Sequence, residues 1–592
     1  MQIGAFVKNS ILKHCRGWWL ALVLLALLPI WIVGMFDRGM WTPDEPREAD
    51  IVWRMTQQAD HTLPQLANTP FLEKPPLSYW LSAAAVHVFG DSPKGMRAPN
   101  LMYAIIVAFA IGLLVRSMAG WRAAVVAALV AGSTFEAYRV GIWLAPDACL
   151  AAGCAIALLG AYRGYVACEG HEKLFWYTLM HAGAAAGFMA KSGPGWIVPG
   201  LALFGVIVWE RHWRELRRWQ LWAGAVLQAF VIGAWIHAVW QEPDGAAALR
   251  VFFWNNLAGR FADIHAAGAL NYASSHKNWP GKYFVELPYY LFPWLLLVLA
   301  ALRRAWGAIQ IPGVAGTPWR FAVSASMPFL ILLSVAATAR DVYFTPVVLG
   351  LSMLVGLWFK ELYTRADRFD ILAVRGTGYF VTIFCVLLVA ILTVLAVASR
   401  NNHYDVLSCA AGVIVIGVVT TIGLVYAKRA RHLGMWSQWF GWIYIAFATS
   451  LAGGGMALLP VVDRWQNLGM IVREVRHDTG NGVELALLQP DETTIAMMDY
   501  QAGVPILVLD GDDQSVQHQA ADWLHQDNGR HRILVKLSGS GAGEINRQFI
   551  HQQVTENDGL MVTRLAHAGV ARVVARYELP QGRRYALLGP MS

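Results

Sequence analysis

A succession of apolar runs, each roughly 17–25 residues long and parted by short basic stretches, limits how this chain can fold more than any other feature. Such a run, coiled as a helix, matches the hydrocarbon thickness of a bilayer. In lipid, a helix satisfies its own backbone hydrogen bonds. A first run at 18–33 is followed by others at 98–115, 122–138, 146–165, 174–190, 195–209, 221–240 and 284–302. The last lie at 321–337, 343–359, 379–397, 406–426 and 436–459. Together they predict about thirteen spans. Charged residues make up only 15% of the chain, against about 25% in soluble proteins. The shortfall is spread along the sequence, as many spans require and a single anchor does not.

Basic residues give the orientation. With the N-terminus inside, Arg116 and Arg122, Arg163 and Lys173, Arg211 to Arg218, Arg303 and Arg304, Lys360 to Arg375, and Lys428 to Arg431 all fall in cytoplasmic loops, as the positive-inside rule asks. The run Leu77–Phe89 is too short for a span and reads as a juxtamembrane or re-entrant helix, since counting it would invert every later loop. The first run has no A-x-A-type cleavage site before Asp37 and Arg38, so it reads as an uncleaved span. The net charge of +8 lies in these loops, which argues against nucleic acid as a partner. The six cysteines form no CxxC pair and read as packed residues.

From about residue 462 polar residues become frequent and short β-like runs appear at 484–488, 494–498, 505–509, 532–535 and 572–575, with an amphipathic helix near 512–525. The expected architecture is a polytopic α-helical membrane domain over 1–461, with juxtamembrane helices in its first outside loop. A soluble periplasmic α/β domain follows over 462–592.

Two long loops, at 37–76 and 241–283, fall outside and hold the acidic and aromatic stretches. The first opens Trp41-Thr-Pro-Asp44-Glu45-Pro-Arg47-Glu48-Ala-Asp50. Carboxylates directly after a span are costly unless solvated or used, and Asp44 is placed to start a helix that carries Arg47 one turn later. On the residues alone, a capped helix with a solvated acidic face reads as well as a site. Glu73-Lys74-Pro75-Pro76 sits where the chain returns to an apolar segment. A Lys there can snorkel to headgroups or hold a lipid phosphate.

These stretches resemble the first-loop signature of the protein O-mannosyltransferase-like superfamily, C-type glycosyltransferases that use polyprenyl-phosphate sugars. The branch most resembled is the lipid A aminoarabinose transferase. Leu144-Ala-Pro-Asp147 is similar to the family's second acid, Met189-Ala-Lys191-Ser-Gly193-Pro194-Gly195 to its T-K-G-P turn, and Phe252 to Phe261, with Arg260, to its F-F-x-x-H-x-x-R-F segment. Asn256 stands where that segment has His. Tyr343 and Pro346 match the K-x-P-x-Y-I-L-P stretch, but its Lys and first Pro do not recur.

The resemblance implies an inverting single displacement. A sugar leaving from a phosphate needs no general acid, so one base suffices, with cations to hold the charge that grows on the leaving phosphate. Asp44 is then the base and Asp147 a supporting acid. Lys74 and Arg260 bind the carrier phosphate, with Arg47 a second candidate; Tyr343 touches the phosphate or sugar, and Glu73 pairs with Lys74 or binds an adventitious cation. The donor is a polyprenyl-phosphate sugar such as 4-amino-4-deoxy-L-arabinose on undecaprenyl phosphate, and the acceptor is lipid A, another glycolipid or a protein. No cofactor is called for, and no DxD or HExxH motif implies a divalent metal. The chain is expected to act as a monomer in the bacterial inner membrane. His14, His87 and His181 read as packed or interfacial, whereas His265, His276 and Lys277 lie in the second outside loop and suit the lining of a lid. A lipid-linked-sugar transporter would need paired charges at the bilayer midplane. The acids crowd the outer loops instead.

Overall fold

The computed structural model describes residues 19 to 590 apart from 20, 59–60, 68, 169, 261–277, 400–402, 480–481, 503–505, 510–512, 527–529, 539–564, 566–568 and 580–582. They divide into two compact units. The first comprises Met1–Phe36, Leu72–Leu81 and Arg97–Leu459; the second comprises Asp37–Phe71, Ser82–Met96 and Pro460–Ser592.

The first unit is helical. Among the described residues eight helices are long and apolar enough to cross a membrane, or nine if the bent pair Trp121–Ser133 and Phe135–Ile142 is one span. Every apolar run read from the sequence lies on helix, but several helices are short or broken. The run at 284–302 becomes Lys282–Val285, Leu287–Tyr290 and Leu295–Ala308, interrupted around Pro288 and Pro293. The run at 321–337 becomes Thr317–Ser324 and Met327–Val335, the second with Pro328 in its first turn. Proline lacks the N–H that would continue the hydrogen-bond ladder.

Helices Asp147–Val166 and His171–Lys191 form a hairpin whose seam is made of small residues. A Cβ on Gly160 would stand 2.4 Å from the Met180 nitrogen, and one on Gly153 would stand 2.6 Å from the Gly187 nitrogen. The two backbones therefore touch, as small residues permit in membrane helices. Elsewhere the Trp294 Nε1 donates to Ser133 Oγ at 3.0 Å, and its ring stacks on Phe440 with centroids 5.1 Å apart.

The second unit holds helix Glu45–Gln57, a short antiparallel pair β1 (Gln65–Leu66) and β2 (Thr69–Pro70), and a five-stranded sheet. The sheet contains β3 (Glu484–Leu488), β4 (Ile506–Leu509), β5 (His531–Ser538), β6 (Ala571–Glu578) and β7 (Arg584–Pro590), in the order β4-β3-β5-β7-β6. β3 runs parallel to β4 and β5, whereas β7 pairs antiparallel with β5 and β6. Leu485 and Leu487 enter one apolar cluster while Ala486 and Leu488 enter another. Both faces of β3 are thus covered, which accounts for its unbroken apolar run. The stretch 494–498 is not a strand. Asp491 caps helix Glu492–Met497 by accepting from the Thr494 N–H at 2.8 Å, and a π-helical turn Met498–Ala502 continues it. Leu77–Phe89 is one helix with the bounds read from the sequence.

Candidate active site

In the first unit, Asp147 is the first residue of its helix and Lys191 the last of the next. A carboxylate at a helix N-terminus and an ammonium at a C-terminus each sit at the favoured end of the dipole. The hairpin brings the two together as a buried ion pair. The Lys191 ammonium also lies 5.0 Å from the centre of the Tyr343 ring, a cation–π distance. Lys74 and Arg340 are the further cations whose charge reaches Lys191. Lys74 is paired with Glu73 at 3.8 Å, and both are buried. The carbonyl of Leu72, next to Glu73, accepts from Asn256 Nδ2 at 3.1 Å. The residue standing where the family has His thus braces the turn that carries Lys74.

A second ring of polar groups adjoins this cluster. Glu136, fully buried, accepts from Arg139 at 2.8 Å and from Thr345 at 3.0 Å. Asp341 takes Arg139 at 3.5 Å and Lys282 at 3.1 Å. Sequence reading did not single out Lys191 as a site residue. Its signal was its match to the Lys of the T-K-G-P turn, and its partner Asp147 is 44 positions away.

In the second unit the first-loop motif folds as expected, with Asp44 at the N-cap of helix Glu45–Gln57, although the Asp44 side chain does not cap it. Glu45 is clamped by Arg38, one of the two bonds at 2.9 Å, and accepts the Trp41 N–H at 2.8 Å. Both partners of that salt bridge are fully buried. Glu48 and Asp50 are buried as well, whereas the Asp44 carboxylate keeps about a fifth of its surface open. Of the acids in this motif, Asp44 is therefore the one presented to solvent. Arg47 is shared by Glu492 at 2.9 Å, Asp44 at 3.3 Å and Glu48 at 3.5 Å.

Further along, Asp50 lies against Asp499, which Arg54 also bonds. Burial is the largest influence on Asp50 and pushes its carboxyl up to about 8. The bond to Asp499 and that residue's charge add to it, against smaller pulls from the Ala67 N–H and Arg54.

Backbone at Ala258–Arg260 is a helical turn, but the Arg260 side chain lies outside the described residues, as do His265, His276 and Lys277. His181 has the bland role expected, bonded to Gln228 at 2.7 Å and to the Leu221 carbonyl at 2.8 Å. Among the described residues no group of three or more His, Cys, Asp or Glu has a metal-holding arrangement.

Residues 73–240 match the dolichyl-phosphate-mannose-protein mannosyltransferase family. Among curated relatives, the undecaprenyl phosphate-alpha-4-amino-4-deoxy-L-arabinose arabinosyl transferase of Edwardsiella ictaluri is 28% identical over 437 residues, covering 72% of this chain and 75% of the relative. The transferase of the same description from Pseudomonas paraeruginosa is 27% identical, covering 71% and 74%. The fold is shared with the crystal structure of ArnT from Cupriavidus metallidurans bound to undecaprenyl phosphate, at a TM-score of 0.70 and 17% identity, over 96% of this chain and 98% of that one. The chain is an inner-membrane, polyprenyl-phosphate-sugar-dependent glycosyltransferase, similar in sequence to the undecaprenyl phosphate-aminoarabinose arabinosyl transferases.

Proposed function

We propose that this protein transfers 4-amino-4-deoxy-L-arabinose from undecaprenyl phosphate to lipid A on the periplasmic side of the inner membrane. The observation that carries the reading is the cation-rich cluster around Asp147, Lys191 and Tyr343, with Lys74 and Arg340 in reach. It suits a phosphate that gains negative charge as its sugar departs. The names of the relatives supply the donor.

In this reading an oxygen of the acceptor attacks the anomeric carbon. The bond from that carbon to the phosphate oxygen breaks, and the phosphate leaves with the electron pair. The acceptor proton passes to Asp44, and configuration inverts. Lys74 and Arg260 hold the phosphate, joined by Lys191. Asp147 fixes the Lys191 ammonium, Tyr343 packs against it, and Glu73 sets Lys74. Arg47, held by three carboxylates, orients Asp44 rather than taking the phosphate. The N-terminus is cytoplasmic, the soluble domain at 462–592 is periplasmic, and the chain works as a monomer.

A second reading keeps the chemistry and changes the sugar. Arg340 and Asp341 occupy the stretch where the family's Lys and first Pro do not recur, and Asp341 is bonded into the polar ring. The test is transfer by the purified protein from undecaprenyl-phosphate aminoarabinose to lipid A, followed by product mass. Product of the added-sugar mass, lost in Asp44→Asn, supports the proposal. No product from the wild type sinks the aminoarabinose assignment, and product with another polyprenyl-phosphate sugar supports the second reading.

A further inference from the structure

The second unit contains a cavity of about 250 Å³, lined by Gly39, Met40, Pro93, Asn467 and one face of helix Gly469–Thr479. Liquid water occupies about 30 Å³ per molecule, so the space takes a headgroup and not merely a solvent molecule. Gly469, Val472, Arg473 and Arg476 all line it. Their spacing of three, four and seven residues is that of a single helical stripe. Two guanidinium groups one turn apart therefore border the same space, Arg473 in the middle of the helix and Arg476 in its last turn.

The walls are fixed. Asn467 Oδ1 accepts the Gly469 N–H at 2.9 Å, and Asn467 pairs with Trp41 as an isolated bridge. A side chain on Gly39 would stand 2.1 Å from Asn467 Nδ2 and would displace that amide. The nearby carboxylate of Asp463 is turned away onto the Gly39 N–H at 2.8 Å and Trp41 Nε1 at 2.7 Å. The remaining charge of the lining is positive.

Chain continuity gives the depth. Pro93 opens the apolar helix Pro93–Ala119, and Asn467 directly follows the apolar helix Trp436–Gln466. Arg464 and Trp465, in the last turn of that helix, are exposed. An exposed Trp beside Arg at the end of a span marks headgroup level.

We propose that this cavity holds the phosphate of an anionic lipid headgroup between Arg473 and Arg476. Guanidinium groups bind phosphate through paired, directional hydrogen bonds, and a basic pocket at the end of a span suits lipid headgroups. None of the residues assigned to sugar transfer lines this cavity, so the inference stands whichever sugar is carried.

The test uses the full-length protein in detergent, with lipid retention read by native mass spectrometry. Probes are phosphatidylglycerol, lipid A, zwitterionic phosphatidylethanolamine and inorganic phosphate, compared between wild type and the double variant Arg473→Ala/Arg476→Ala. The expected result is retention of phosphatidylglycerol or lipid A that falls at least tenfold in the double variant. Undecaprenyl phosphate binding and the melting temperature should be unchanged, which separates loss of this site from misfolding and from failure of the donor site. Preference for lipid A, with a raised KM for lipid A and unchanged kcat, makes the acceptor the source. Preference for phosphatidylglycerol makes it the bilayer. Equal retention by wild type and variant overturns the proposal, as does phosphate binding as well as the lipids or phosphatidylethanolamine being held equally. Arg473→Lys/Arg476→Lys should retain part of the binding, because lysine keeps the charge and loses the paired geometry.

Discussion

In the second unit the charges of the first-loop motif are directed at one another. Glu45 is enclosed by Arg38, Arg47 is divided among Asp44, Glu48 and Glu492, and Asp50 faces Asp499 beside Arg54. In the first unit the charges stand at helix ends, as one buried acid–base pair with an aromatic ring and two more cations around it. The first arrangement holds a loop in shape and leaves one carboxylate, that of Asp44, part open. The second gathers positive charge at one place. Acids that look alike in sequence thus differ in their surroundings: the first-loop carboxylates are matched by neighbouring arginines, whereas Asp147 stands where cations are in surplus.

The largest expected effect tests that difference directly. Asp44→Asn should lower transfer by about 10²–10⁴-fold, the range usual for a general base, with the melting temperature of the purified protein unchanged. Equal loss of activity and stability would place Asp44 with the scaffold. Its neighbour should behave in the opposite way. Glu45→Ala strands a buried Arg38, and breaking such a pair costs about 3–5 kcal/mol. Thermal unfolding should show it as a large fall in stability, and an unchanged melting temperature would remove Glu45 from the scaffold.

A smaller effect is expected at the hairpin seam of the first unit. Gly160→Val forces apart backbones that touch, an overpacking worth about 1–3 kcal/mol. Binding of undecaprenyl phosphate should weaken along with stability, since the seam aligns Asp147 with Lys191. Unaltered binding would show that the pair does not depend on the seam.

The smallest effect is a dependence on pH. The Asp50 carboxyl is raised from 3.8 to about 8, so across that window the folded form keeps a proton that the unfolded chain releases. Its contribution to stability is therefore lost progressively as pH climbs from 3.8 to about 8, and levels off above. Asp50→Asn, which cannot ionise, should flatten that part of the melting-temperature profile. A profile identical to wild type would show that Asp50 does not hold the proton.

Much of this was legible in the sequence, for physical reasons. Apolar length reports membrane helices because lipid imposes it, and the run Leu77–Phe89 was separated from the spans by its length and by the charge of the later loops. The motif Trp41 to Asp50 predicted a helix beginning at Asp44, which is where it begins. Other features depend on distant partners. Arg47 meets Glu492 across 445 positions, and no local pattern anticipates that. The stretch 494–498 was read as strand from its apolar and β-branched residues. The Asp491-Glu-Thr-Thr494 cap made it helical, a signal three residues upstream. Among the described residues, about thirteen apolar runs yield eight or nine helices that are long and apolar enough to cross a membrane; prolines divide the run at 284–302, whereas Pro194–Glu210 is unbroken but only 17 residues long.

The glycine seam between Asp147–Val166 and His171–Lys191 has one more consequence. A helix of 20 residues rises about 30 Å, and the turn joining the two helices lies at the opposite end from the Asp147–Lys191 pair. With backbones in contact, the hairpin behaves as a stiff gauge. A single residue inserted within one of the helices would shift the part beyond it by about 1.5 Å and rotate it by roughly 100° against the other. The polar cluster at the far end would then register, at ångström scale, a change in a stretch of helix that never touches it.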